Sequence, residues 1–289
     1  MLTNVMFALA QSKEASSENI CFFDEEVHKK KEFENFIESN MQQALDSQCF
    51  EMVLQPKMNL QTNSVIAAEA LVRWRLEDGT YLPPSSFVDI FEKNLFCSKL
   101  DFYMLKKAIQ QIRKWIDMGI NPVNISVNQS KIVFYHENYI SELKSLLEEY
   151  NVSGSYITLE VLESTVIEDI DIFNSILTEV KKLGFSVSLD DFGSGYSSLN
   201  VLSKLQIDEL KIDRIFLHTK SEVDNQRTKW ILESIIDIAK KSQILVVVEG
   251  VESKQDDLFI KNLGADVGQG YFYGRPLSIS AFNDLIETK

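Results

Sequence analysis

The sequence predicts a TIM-like (β/α)8 barrel of the α/β class in which one strand runs antiparallel to the others. Eight short runs rich in Val and Ile recur along the chain, and stretches with helical spacing of apolar residues lie between them. Only about eight residues separate Pro56 from Val65, whereas a parallel crossover needs about a dozen or more. We therefore expect the first two strands to form an antiparallel hairpin. The chain has 289 residues, the length of one such barrel with a short extra segment.

The predicted strands are the eight apolar runs, most of which have a polar residue at or near their end. They are FEMVLQ (50–55), VIAAEALV (65–72), VNISV (123–127), YITLEV (156–161), FSVSLDD (185–191), ELKID (209–213), ILVVVEG (244–250) and ADVGQG (265–270). Helical patterns between them include residues 99–118 and 223–241. Several of the helical stretches end at a glycine, such as Gly119, Gly184 and Gly264, as helices commonly do.

The first 50 residues have a different pattern from the rest of the chain. Residues 4–13 predict a short helix, residues 20–23 a short strand, and residues 25–47 a charged amphipathic helix. This segment is too small to form a hydrophobic core of its own. We expect the barrel itself to span residues 48–289.

Composition excludes several classes of function. The chain has 29 Lys and Arg residues and 43 Asp and Glu residues, which gives a net charge of −14. This charge argues against sequence-independent binding of polymeric DNA or RNA. No apolar run approaches the roughly 20 residues of a membrane span, and the start of the chain lacks the pattern of a signal peptide. We therefore expect a cytoplasmic protein, or the cytoplasmic part of a larger sensor protein. The few, scattered Cys and His residues favour oxygen ligands for any metal, such as those of Mg²⁺.

Polar side chains stand at the ends of most predicted strands, where a barrel of parallel strands carries its catalytic groups. They are Glu69, Asn124, Glu160, Asp190, Asp191, Lys211, Glu249 and Gln269. Five carboxylates at one face would repel one another unless cations bind between them. Two hard divalent cations about 4 Å apart support in-line displacement at phosphorus. Lys211 could orient or deprotonate the attacking water, and Arg73 could hold a phosphate oxygen.

Simpler interpretations exist for single residues of this set. Glu69 could pair with Arg73 if the segment were helical, although in a strand residues four apart are too distant to pair easily. Lys211 could be a lysine of the barrel rim that pairs with Asp213. Seven strand ends with the same behaviour favour the metal site.

The motifs on these strands resemble those of the EAL-domain cyclic-di-GMP phosphodiesterases, and the resemblance covers residues 48 to 286. They are QP (55–56), EALVRW (69–74), NIS (124–126), EVLES (160–164), DDFGSGYSSL (190–199), KID (211–213), EGVE (249–252) and QGY (269–271). The resemblance implies a metal-dependent hydrolase of bacterial second-messenger signalling. Such enzymes open cyclic-di-GMP to linear pGpG with two Mg²⁺ or Mn²⁺ ions, and Ca²⁺ inhibits them.

The resemblance also implies roles for individual residues. Glu69, Asn124, Glu160 and Asp190 match the ligands of one metal, and Asp190, Asp191 and Glu249 serve the second, directly or through water. Lys211 and Glu249 match groups at the attacking water, and Glu163 the acid that anchors the loop from Asp190 to Leu199. Gln55, Arg73 and Gln269 match residues on the substrate side. One departure is Leu162, which stands where the family usually has Thr and removes a hydroxyl near the loop anchor.

Two alternatives stay open at this point. Residues 1–24 resemble the C-terminal end of a GGDEF domain, with residues 25–47 as the linker helix, which would place sensor domains upstream; the alternative is a helical cap specific to this group. The chain could also be a non-catalytic cyclic-di-GMP receptor, although every ligand position is filled. Homodimers are frequent in the family, so a homodimer is a further expectation.

Overall fold

The computed structural model describes residues 25–163, 170–193, 199–217 and 222–287. The described residues divide into two compact units, a smaller one that contains residues 25–50 and 74–94 and a larger one that contains the described residues of 51–73 and 95–287. The helix, the strand and the GGDEF remnant predicted within residues 1–24 lie outside the described residues.

The smaller unit is built around aromatic side chains. Its elements are helix α1 (Glu25–Asp46), the short strand β3 (Tyr81–Leu82) and helix α2 (Val88–Lys93). The ring of Trp74 lies 5.0 Å from that of Phe50 and 5.6 Å from that of Phe87, and Phe36 of α1 stacks on it at 6.4 Å. Helix α1 is therefore the amphipathic helix predicted over residues 25–47.

Eight strands form the barrel and a ninth, β3, extends the sheet. The eight are β1 (Phe50–Asn59), β2 (Ser64–Arg75), β4 (Asn124–Gln129), β5 (Ile157–Leu162), β6 (Ser186–Phe192), β7 (Glu209–Ile212), β8 (Leu245–Val248) and β9 (Val267–Gln269). The order in the sheet is β1-β9-β8-β7-β6-β5-β4-β2-β3, and β1 also pairs with β2, which closes the barrel. Every predicted apolar run is a strand.

Strand β1 is the reversed strand that the sequence predicts. It pairs antiparallel with β9, with Lys57 opposite Gln269, while β2 and β4 to β9 pair parallel in sequence. Four residues, 60–63, connect β1 to β2. A connection of this length can join only antiparallel neighbours. The predicted barrel with one antiparallel strand is confirmed.

Helices follow the strands of the larger unit and cover the barrel. They are α3 (Cys97–Asp117), α4 (Lys131–Phe134), α5 (Tyr139–Tyr150), α6 (Ile170–Lys182), α7 (Leu199–Lys204), α8 (Glu222–Lys241), α9 (Lys254–Leu263) and α10 (Ile279–Glu287). Leu105, Ile109 and Ile112 of α3 are fully buried, as their helical spacing predicts. None of the helices that the structure describes is both long and apolar enough to cross a bilayer.

Candidate metal centre

Lys211 of β7 lies at the centre of four predicted acids. Its Nζ is 2.9 Å from Glu160 Oε2, 3.0 Å from Asp190 Oδ2, 2.9 Å from Glu249 Oε1 and 3.4 Å from Glu69 Oε2. The lysine is 1% exposed. Strands β2, β5 and β6 and the carboxyl end of β8 therefore bring their acids together around one ammonium group, as expected of neighbouring parallel strands in a barrel.

The carboxylate oxygens form two overlapping groups that could each hold a metal ion. Ligand atoms of Glu69, Glu160 and Asp190 lie within 4.8 Å of one another, and so do those of Asp190, Asp191 and Glu249. Asp190 belongs to both groups and is thus the residue placed to bridge two ions. This is the division of ligands that the sequence predicts, apart from the amide ligand.

A break in the pairing of β6 brings the two neighbouring aspartates to one site. Consecutive side chains of a regular strand point to opposite faces. The register between β6 and β7 shifts between Leu189 and Phe192, and Asp191 has a φ of 56°, in the left-handed region that a non-glycine residue seldom adopts. Such a bulge re-aims a side chain, so Asp191 reaches the same group of oxygens as Asp190.

Burial changes the protonation of these acids. It raises the pKa of Asp190 to about 7, although Lys211 opposes this, and burial likewise raises the pKa values of Glu69, Asp191 and Glu249. Glu160 differs: burial opposes its charge, but Lys211 and Lys57 outweigh this effect and lower its pKa to about 2. The two lysines therefore hold Glu160 in its ionised form when no cation is bound.

Lys57 is one residue of this region that the sequence did not single out. Its Nζ donates to Glu160 Oε1 at 2.8 Å, to Glu209 Oε1 at 2.8 Å and to Ser126 Oγ at 2.7 Å, and the side chain is fully buried. A signal was present, because Lys57 shares the strand face of Gln55, which was selected. With Glu209 included, six carboxylates surround two lysines. The net formal charge of these eight residues is −4, which two divalent cations would balance.

Asn124 corrects the predicted ligand set. It stands at the amino end of β4, opposite Ala67 of β2, where its Oδ1 accepts from Thr158 Oγ1 at 2.8 Å and its Nδ2 donates to the Ser155 carbonyl oxygen at 3.2 Å. The acids lie at the other end of the strands. Asn128, four residues later, donates from Nδ2 to Glu69 Oε1 at 3.0 Å. The prediction that Asn124 joins the carboxylates is wrong, because β4 continues to residue 129, beyond the run that was taken as the strand.

The two predicted glutamines lie beside the acids. Gln269 of β9 donates from Nε2 to Glu69 Oε2 at 2.5 Å, and the same Nε2 lies 3.5 Å from Gln55 Oε1. Gln55 in turn donates to the Gly274 carbonyl oxygen at 3.4 Å. Both side chains are buried, so they line the inner wall of the site.

Arg73 and Glu163 lie on or directly after strands that carry the acids, β2 and β5. Arg73 donates from Nη1 to the Val72 carbonyl oxygen at 2.8 Å, so its guanidinium lies against its own strand. Glu163 follows β5 directly and is 6% exposed. The loop that Glu163 is predicted to anchor includes residues 194–198, which lie outside the described residues. Its anchoring role stays a prediction, as does the effect of Leu162.

A cavity of about 240 Å³ opens above this group of side chains. Its lining residues are Gln55, Glu69, Asp213, Arg214, Glu249, Gly250, Glu252, Gln269, Gly270 and Tyr271. The guanidinium of Arg275 lies 4.5 Å from the ring centroid of Tyr271, which is 53% exposed. The site is therefore acidic at its base and carries an aromatic ring and basic groups at its mouth.

The donor set fits two hard divalent cations. Apart from Lys211, the groups that converge are carboxylates, whose oxygens suit Mg²⁺ or Mn²⁺ better than Zn²⁺, and the side-chain amides of Asn128 and Gln269, which donate to Glu69. Gln269 Oε1 is buried and accepts no hydrogen bond from any residue that the structure describes. A buried acceptor in this state calls for a partner such as an ordered water or ion. The neighbouring carboxylates, whose pKa values burial raises, would also be stabilised in their charged form by a bound cation.

Comparisons with known proteins agree with this geometry. The family model described as "EAL domain" matches residues 38–276. The cyclic di-GMP phosphodiesterase NbdA of Pseudomonas aeruginosa is 32% identical over 286 residues, which is 99% of this chain and 36% of that protein. The bifunctional diguanylate cyclase/cyclic di-GMP phosphodiesterase MucR of the same organism is 30% identical over 277 residues, 96% of this chain and 40% of that protein. The chain thus spans about two fifths of the length of these relatives.

A solved structure agrees as well. The PaMucR phosphodiesterase in its c-di-GMP complex superposes with a TM-score of 0.78 at 32% identity and covers 85% of this chain and 99% of the other. The match of the family model begins inside helix α1 and does not extend to residues 1–24, so it lends no support to a GGDEF remnant there.

Proposed function

This chain belongs to the EAL-domain family, and we propose on that basis that it is a metal-dependent phosphodiesterase that hydrolyses cyclic-di-GMP to linear pGpG with two Mg²⁺ or Mn²⁺ ions. One observation carries the proposal: Glu69, Glu160, Asp190 and Glu249 converge on Lys211 within 3.4 Å, at the face of the barrel where such folds hold their catalytic groups. The names of the relatives NbdA and MucR support the choice of substrate.

Each of the two proposed cations has its own set of acidic ligands, and Asp190 belongs to both sets. Glu69, Glu160 and Asp190 would bind one ion, and Asp190, Asp191 and Glu249 the other, with the amide of Asn128 beside Glu69. When bound, two such ions supply an activated water and neutralise charge on the phosphoryl oxygens.

Lys211 acts as a cation in this proposal. Burial opposes its charge, but Asp190, Glu160, Glu249 and Glu69 outweigh that effect and raise its pKa well above the ordinary value. A lysine that keeps its proton cannot serve as the base. It orients the attacking water and stabilises negative charge, and Glu249, whose pKa burial raises, accepts the proton of that water.

The substrate would enter through the cavity mouth. Gln55 and Gln269 lie beside Glu69 and would contact the phosphate or the water. Arg73 would turn from its own backbone to a phosphate oxygen, since a guanidinium forms paired hydrogen bonds with phosphate. The exposed ring of Tyr271 would stack on a guanine base.

An assay of hydrolysis tests the proposal. The protein is incubated with cyclic-di-GMP and Mg²⁺ or Mn²⁺ from about pH 7 to about pH 9, and pGpG is measured by chromatography. We expect pGpG from the wild type and none from Glu69→Ala or Asp190→Ala. Binding of the nucleotide in Ca²⁺ without hydrolysis in Mg²⁺ or Mn²⁺ would establish the receptor function instead.

Two further proposals concern the rest of the molecule. The GGDEF remnant over residues 1–24 is a proposal that rests on the sequence resemblance alone. A homodimer is expected from the family, and analytical ultracentrifugation with and without nucleotide tests it.

A further inference from the structure

We propose that Lys57 is a positioning residue that orients the carboxylate of Glu160 from beneath the metal centre. The inference rests on the proposed function, because it concerns how one ligand of the cation pair is held. Lys57 lies on the reversed strand β1, and its Nζ reaches Glu160 Oε1 on β5, Glu209 Oε1 on β7 and Ser126 Oγ on β4. Three strands of the barrel thus converge on one ammonium group.

Each of the two lysines binds a different carboxylate oxygen of Glu160. Lys57 binds Oε1 at 2.8 Å and Lys211 binds Oε2 at 2.9 Å. Because Oε1 is engaged inside the barrel, only Oε2 faces Glu69 and Asp190. Glu160 therefore presents one oxygen to a cation, and the second cannot rotate into the site to displace another ligand. Partners that hold a ligand in this way commonly tune a metal site.

The position of Lys57 requires an explanation, because a lysine that is fully buried loses its hydration. Its three hydrogen bonds use all three protons of the ammonium group. Two of the acceptors are carboxylates: without Lys57, Glu160 would keep only its bond to Lys211, and Glu209 would lose its bond to Lys57. Lys57 could therefore serve stability alone, and the experiment must separate that role from the orientation of Glu160.

Three variants make the separation. Lys57→Met keeps the length of the side chain and removes its charge and donors. Glu209→Gln removes the charge of the second carboxylate that Lys57 contacts and leaves the bond to Glu160, so it is the matched control. The double variant Lys57→Met/Glu209→Gln removes one positive and one negative charge together, which restores the charge balance of the barrel interior.

The measurements are Mn²⁺ affinity, by electron paramagnetic resonance of the unbound ion, and the thermal unfolding midpoint of the metal-depleted protein. We expect Lys57→Met and the double variant to bind Mn²⁺ about 10- to 100-fold more weakly than the wild type, and Glu209→Gln to stay within about threefold. The double variant should unfold at a higher temperature than Lys57→Met.

The outcomes are distinct. A folded double variant with wild-type Mn²⁺ affinity would overturn the inference, and so would a double variant that does not fold, since Lys57 would then serve the fold rather than the orientation of Glu160. If the wild type itself binds no Mn²⁺, the proposed function fails instead.

Discussion

Asn128 donates a hydrogen bond to Glu69 over 3.0 Å, from the end of β4 that faces the acids. Asn124 lies on the same face of the same strand, about 13 Å away at the usual rise of a strand. The two residues have the same side chain and the same strand, and they differ only in which end of the barrel they occupy. They therefore form a natural pair for an experiment.

We predict that Asn128→Ala weakens Mn²⁺ binding and lowers hydrolysis about 10-fold or more, because it removes the amide whose Nδ2 donates a hydrogen bond to Glu69. Asn124→Ala should leave both within about threefold and lower stability by about 1 kcal/mol through the lost hydrogen bonds to Thr158 and Ser155. Equal effects of the two substitutions on Mn²⁺ affinity would contradict the geometry. Calorimetric titration and urea unfolding provide the two measurements.

Without metal, stability should fall as the pH rises. The pKa of Asp190 is about 7 in the folded protein, above the ordinary value of about 3.9. Between these values the folded protein keeps a proton that the unfolded chain has lost. The free energy of unfolding then falls by about 1.4 kcal/mol per pH unit for this one group.

Urea unfolding in a chelator from about pH 4 to about pH 7 measures this slope. Asp190→Asn removes the titrating group, so its slope should be smaller. Saturating Mg²⁺ should also reduce the slope, since a cation replaces the proton. A metal-depleted wild type whose stability rises over this range would contradict the assignment.

Gly193 should not tolerate a side chain. Its φ is +101°, and a Cβ added there would lie 2.1 Å from the ring of Phe216. Gly119 has a φ of +74° with nothing within 4 Å, so Gly119→Ala measures the backbone strain alone. We expect about 1 to 2 kcal/mol for Gly119→Ala and a larger loss for Gly193→Ala.

Hydrolysis by the two glycine variants gives a second readout. Gly193 follows the two aspartates by two residues, so a shift of its backbone displaces Asp191 and should lower the rate. Gly119→Ala should keep the wild-type rate. Equal losses of stability for the two variants would contradict the prediction, because they would show that the ring of Phe216 moves to make room for the new methyl group.

The aromatic cluster should stabilise the smaller unit. Phe87 is fully buried, and its ring lies 5.2 Å from that of Phe91. Phe87→Ala should lower the free energy of unfolding by about 3 to 5 kcal/mol, because it leaves a cavity. Phe33→Ala, at a ring that is 37% exposed, should lower it by less than about 1 kcal/mol. Urea unfolding compares the two.

The fold was predictable from periodicity and from the length of one connection. Runs of buried β-branched residues alternate with helical patterns, and this alternation specifies parallel strands with crossover helices. The hairpin of β1 and β2 followed because so few residues join them. Both signals are local in sequence, so one sequence was sufficient to detect them.

The candidate site was predictable for the acids and not for the inner residues. Polar groups at the ends of parallel strands must meet, so Glu69, Glu160, Asp190 and Glu249 could be selected together. Asn124 was selected because the apolar run ends before the strand does. Lys57 was overlooked because its partners come from three other strands, and periodicity contains no information on such contacts.

Because β1 runs opposite to the other strands of the barrel, its side chains lie farther from the catalytic mouth towards its carboxyl end. On β2 and β4 to β9, each step of two residues towards the carboxyl end brings a side chain nearer to solvent at the catalytic mouth. On β1, Gln55 lies at the mouth and Lys57 one layer below it, so the same step leads inwards. A mutational scan should therefore find the residues that contact the substrate towards the carboxyl ends of the parallel strands but towards the amino end of β1.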